Sequence, residues 1–98
     1  MIRSAVFAAL FAACSSGALA QQAARNLAAA CAICHGTEGR GATMDVIPLA
    51  ALPKDRIVSQ MKAFRDGSRP ATVMHQIAKG YTDAEIEAIA AWFAPHKR

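Results

Sequence analysis

Two cysteines separated by two residues, with a histidine directly behind them, constrain this chain more than any other feature: Cys31-Ala32-Ile33-Cys34-His35. On a helix, residues three and four apart lie on one face, so the two sulfurs stack about one turn apart. At that pitch both can reach one edge of a flat macrocycle and bond its two vinyl groups as thioethers. His35 follows at once and can turn its imidazole onto a central iron. The pattern is that of covalent c-type haem attachment, and a fold built on it must hold one large apolar cofactor against the helix that carries the motif.

Other uses of a C-x-x-C pair fit less well. A thioredoxin-type redox pair comes with a βαβ pattern, and no segment here shows strand alternation. A zinc site needs a second pair of ligands, and beyond the motif the chain offers only Cys14, His75 and His96. A disulfide between Cys31 and Cys34 would close a very small loop and stabilise little.

The first 20 residues read as a secretory leader. Met1-Ile2-Arg3-Ser4 is a short basic start, Ala5 to Cys14 is almost wholly apolar, and Ala18-Leu19-Ala20 precedes Gln21 as a cleavage signal. The apolar run breaks at Ser15-Ser16-Gly17, short of the roughly 20 residues a membrane-spanning helix requires. Cys14 follows Phe11-Ala12-Ala13, a faint version of a lipoprotein box in which the Phe fits poorly. Cleavage after Ala20, which discards Cys14, is the expectation, with the product in the periplasm. The remaining domain, residues 21–98, is small for a self-supporting core, and chains of that size usually need a staple or an added interior. A covalently held apolar cofactor supplies one.

Loss of Arg3 lowers the formal charge from +4 to +3. That mild basicity suits an acidic partner. With no Lys/Arg block and no basic stripe interleaved with aromatics, it gives no case for nucleic acid.

Four helices and one long connection can be read, an all-α class. The first, about Gln22 to Cys34, carries Ala24, Leu27, Ala28 and Cys31 as an apolar stripe. Gly36, Gly39 and Gly41 open a loop that runs to about Pro53. The second helix spans about Lys54 to Asp66, with Ile57, Met61 and Phe64 inward, Asp55 and Arg65 placed to suit the helix dipole, and Gly67 as terminator. A short third is expected from Pro70 to Lys79, stopped by Gly80. The fourth starts at a Thr82/Glu85 capping box, with Tyr81 and Ile86 set for a hydrophobic staple. It buries Ile86, Ile89, Ala90 and Phe93, widened by Trp92, and ends at Pro95.

An iron held by His35 needs a second axial ligand or an open site, and a sulfur ligand gives an electron-transfer centre with a raised potential. Met61 reads as core filler within its helical stripe. Met44 is only nine residues beyond His35 and is awkwardly placed to reach the opposite face. Met74, beyond the second helix, follows enough chain to cross the porphyrin and is the expected ligand. His75 beside it reads as a surface residue. A ligating histidine commonly donates its other ring N–H to a carbonyl; Pro48 is the candidate for that carbonyl, its alternative being a simple turn proline. Arg69, Lys54, Arg56 and Lys79 are candidates for a docking rim.

In this order, Cys31-Ala32-Ile33-Cys34-His35-Gly36, Gly39, Gly41, Ile47-Pro48-Leu49, the Met74 segment and a terminal aromatic helix, the sequence resembles a class I cytochrome c over essentially the whole domain. The resemblance implies crossed N- and C-terminal helices, with Leu27 and its alanine neighbours meeting Trp92 and Phe93, one haem c between His35 and Met74, and electron transfer without a small-molecule substrate. The stretches Phe64-Arg65-Asp66-Gly67-Ser68-Arg69-Pro70-Ala71-Thr72-Val73-Met74 and Ile77-Ala78-Lys79-Gly80-Tyr81-Thr82 are similar to the cytochrome subunit of flavocytochrome c sulfide dehydrogenases, and also to small c553-type carriers. The first likeness implies a flavoprotein dehydrogenase as partner, the second a diffusible carrier serving other redox proteins. Some of the dehydrogenase cytochromes hold two haem domains; here there is one C-x-x-C-H. An open-iron haem enzyme or gas sensor is the contrasting class, disfavoured by the Met74 ligand.

Overall fold

In a computed structural model, which describes the backbone from residue 2 to 97 and side chains from 16 to 97, the chain is all-helical, with no strand among the described residues. Helix α1 runs Ile2–His35, α2 Lys54–Asp66, α3 Met74–Ala78 and α4 Asp83–Phe93; a 3-10 turn, Thr37–Gly39, follows α1. The side chain of Cys14 lies outside the described residues. No helix among those described is long and apolar enough to cross a membrane.

The long α1 begins well before the expected Gln22. Alanine is the strongest helix former, and the alanine-rich N-terminal stretch propagates the helix even though residues 16–23 are exposed. The expected cleavage point therefore falls within a continuous helix. From Ala28 onward α1 packs on α4, joining the beginning and end of the domain. Ala28 is buried there, with Leu27 and Cys31 against the core.

The α2 boundaries are those expected, and Gly67 closes it as a left-handed C-cap. Ile57 and Met61 are buried, so Met61 fills the core. At α4 the capping box is complete: Glu85 N donates to Thr82 Oγ1 at 3.2 Å and Thr82 N to Glu85 Oε1 at 2.9 Å. Phe93, Ile86 and Ile89 are the largest fully buried side chains, each contributing about 1.5–3 kcal/mol by leaving water. Tyr81 packs against the same cluster.

Helix α3 is shorter than expected. It starts at Met74, not Pro70, with Val73 as its N-cap residue at φ −130°. The β-branched pair Thr72-Val73 disfavours helix, and residues 70–73 rise as an irregular limb before the chain turns.

Candidate haem-binding site

The motif occupies the last turn of α1. Cys31 and Cys34 are both free thiols, not joined to each other. Cys34 is exposed and Cys31 half-buried, and burial pushes the Cys31 thiol above its ordinary value. No group of three His, Cys, Asp or Glu among the described residues is placed to hold a metal ion, so the donors for a zinc site are missing.

Behind the motif the chain folds back on itself through backbone hydrogen bonds. Gly41 N donates to His35 O at 2.7 Å, capping the end of α1. Leu49 N and Ala50 N both donate to Gly39 O, at 2.8 and 3.0 Å. These bonds pin both ends of the 41–48 loop, which holds an apolar-lined concavity of about 480 Å³ bordered by Arg40, Met44, Val46, Ile47 and Pro48. The pinned loop delivers a carbonyl to the histidine: His35 Nδ1 donates to Ile47 O at 2.7 Å. The expected carbonyl was that of Pro48, and the structure corrects it by one residue. The accepting oxygen belongs to the Ile47–Pro48 peptide bond. Proline holds the preceding residue extended, which turns the Ile47 carbonyl toward the ring while Pro48 itself lies against Gly41.

This bond fixes the tautomer. With the proton on Nδ1, Nε2 keeps its lone pair, the form of imidazole that ligates a metal. The two free thiols and the oriented imidazole fit haem c. So does the apolar surface left in water: Ile33, Met44, Ile47, Val73 and Ile77 are all exposed.

The three methionines weighed as ligands, Met44, Met61 and Met74, separate by environment. Met61 is buried in the core and Met44 fully exposed. Met44 also lies in the loop whose Ile47 carbonyl holds the His35 ring. Met74 opens α3, half-buried against the core, on a different element. His75 departs from the surface expectation: it is half-buried, and its Nδ1 is enclosed with no hydrogen-bond partner. Of the rim candidates, Lys54 pairs with Glu87 at 3.2 Å. Arg69 is held by Gln60 and lies over the Phe64 ring. Arg56 and Lys79 are exposed. Sequence reasoning gave Arg65 only a helix-dipole role; the structure gives it two partners in the Met74 half of the chain, Tyr81 O and Asp83.

Comparison with known proteins shows the family. Residues 18–93 match the family profile described as cytochrome c oxidase, cbb3-type, subunit III. The cytochrome subunit of sulfide dehydrogenase from Chlorobaculum tepidum is 43% identical over 68 residues, covering 68% of this chain and 60% of that protein. A thiosulfate dehydrogenase electron acceptor from Thiomonas intermedia is 38% identical over 71 residues, 71% of this chain but 33% of the relative. Cytochrome c-554(548) from Halomonas halodenitrificans is 36% identical over 67 residues, 65% of this chain and 81% of the relative. The chain thus spans less than two thirds of the first two.

Proposed function

We propose, on the premise that this chain belongs to the cytochrome c family described as cytochrome c oxidase, cbb3-type, subunit III, that His35 and Met74 are the axial ligands of its iron and Cys31 and Cys34 the two thioether anchors. Like its relatives the chain is an electron-transfer protein with covalently bound haem c, not a catalyst in its own right. The haem supplies a one-electron iron couple when bound, and the polypeptide supplies the hold on it. Cys31 and Cys34 fix the macrocycle to α1. The Ile47 carbonyl holds the His35 ring with its Nδ1 proton bonded and Nε2 left for the iron. Met74, at the start of α3, would add a thioether that favours reduced iron.

The observation that carries this reading is the His35 Nδ1 to Ile47 O bond at 2.7 Å beside two unpaired cysteines. It is tested by intact mass and an alkaline pyridine spectrum: one haem must stay on the denatured polypeptide, and Cys31→Ala/Cys34→Ala must lose it. For the sixth ligand, Met74→Ala should abolish the red charge-transfer band of a sulfur–iron bond, whereas Met44→Ala should keep it.

The partner is a redox protein, and the reading that best fits the similarity to the sulfide dehydrogenase cytochrome subunit is a flavoprotein dehydrogenase that passes it electrons. The alternative, a diffusible carrier, draws on the 81% coverage of the Halomonas cytochrome c-554(548), a relative not much longer than the matched region. Purification from the native source separates the two: a stable flavin-containing complex supports the first, a lone haem protein the second. Export to the periplasm with cleavage after Ala20 completes the proposal, and N-terminal sequencing of the mature protein should begin at Gln21.

A further inference from the structure

Residues 66–83 form an arch that carries Met74, and both of its feet stand on the C-terminal half of α2. At the first foot, Ser68 N donates to Asp66 Oδ1 at 2.8 Å and Arg69 N to Ala63 O at 3.2 Å. The Arg69 guanidinium is bonded to Gln60 and lies 4.7 Å from the Phe64 ring centre. The second foot has one fastening to α2 of a different kind. Arg65 Nη1 donates to Tyr81 O at 3.2 Å and Nη2 to Asp83 Oδ1 at 2.5 Å. One planar guanidinium thus holds the chain on both sides of Thr82, in the fork geometry that an ammonium cannot reproduce.

This foot stands beside the haem motif. Tyr81 packs against the same buried cluster that Cys31 touches. The arch packs its crown, α3, against α2, with Ala78 in the core; one end is fastened besides by local turns and the other by Arg65. Without the Arg65 bonds the α4 end of the arch is held by packing alone, and the hold on the segment that carries Met74 is weaker.

We propose that Arg65 is a positioning residue for the sixth ligand: by clasping Tyr81 O and Asp83 it closes the arch and sets how readily the Met74 sulfur gives up the iron. The proposal rests on Met74 being that ligand. An external ligand for the iron can bind only where the sulfur has moved away, so its apparent affinity scales with the fraction of open arch. Removing charge-assisted hydrogen bonds at the clasp raises that fraction by about tenfold.

The test is imidazole titration of the oxidised holoprotein, followed by loss of the sulfur–iron band. Arg65→Ala should bind imidazole about tenfold more tightly than the wild type, and Arg65→Lys, which keeps a charge but not the fork, should fall between them. Ile89→Val, a core change in α4 that leaves both Arg65 bonds in place, should lower the unfolding midpoint and leave imidazole affinity where it was. Unchanged affinity in Arg65→Ala, or equal tightening in Ile89→Val, overturns the proposal. Should Arg65→Ala not accumulate as holoprotein, Arg65→Lys decides by the same criterion. A wild-type protein without the sulfur–iron band, or a Met74→Ala variant that retains it, overturns the ligand reading instead, and the two failures are told apart by the spectrum before any imidazole is added.

Discussion

Replacing Gly39 by alanine adds a methyl group where three parts of the molecule meet. Gly39 is buried at φ +74°. A Cβ there would sit 2.7 Å from Phe93 Cδ1, 2.9 Å from Ala50 N and 3.0 Å from Leu49 Cβ. The left-handed backbone alone costs an L-residue about 1–2 kcal/mol. The contacts add to this, because Phe93 is 1% exposed and has no open space to swing into, and Ala50 N is backbone already bonded to Gly39 O. Overpacking of this kind costs about 1–3 kcal/mol, so the total is about 2–5 kcal/mol, a large share of the stability of a small domain. Gly67→Ala is the internal control: its φ is +84°, but a Cβ there meets nothing within 4 Å, leaving the backbone cost of about 1–2 kcal/mol alone. Urea unfolding of the holoprotein, followed by far-ultraviolet circular dichroism, reads both from the midpoint at constant slope. If Gly39→Ala is no less stable than Gly67→Ala, the claim that α4 is packed hard against the turn behind the haem motif is wrong.

Thr82→Ala removes one half of the α4 capping box and should cost about 1 kcal/mol, measurable in the same unfolding assay; an unchanged midpoint would deny the cap its role. The Arg65 guanidinium beside Asp83 holds that carboxyl below the ordinary aspartate value. A carboxyl lowered by folding stabilises the protein above its unfolded pKa and loses that contribution as pH falls through the folded one. Asp83→Asn should therefore flatten the decline of stability below about pH 4, and an identical acid limb in both proteins would remove the linkage. In the apoprotein, iodoacetamide should label Cys34 before Cys31, since Cys34 is exposed while burial keeps the Cys31 thiol protonated; peptide mapping of a time course checks the order.

Much of the architecture was written locally. The extent of α2 follows from an apolar stripe between Pro53 and Gly67, and the start of α4 from Thr82 and Glu85, because caps and periodicity act over three or four residues. The C-x-x-C-H motif is local in the same sense: its chemistry depends on the pitch of a single helical turn. Where neighbouring preferences compete, local reading fell short. Pro70 suggested a helix start, yet Thr72-Val73 delays α3 to Met74. The alanine-rich N-terminal stretch carries α1 far upstream of the first packed residue.

What the sequence settled by itself is the cofactor and the helix that bears it, since two thiols and an imidazole at fixed spacing have few other uses. Which carbonyl holds His35 and how Arg65 fastens the far end of the Met74 arch were decided only by tertiary structure. Each of these depends on groups between 12 and 18 residues apart being brought to hydrogen-bond distance, and no local preference encodes how a loop closes over that span.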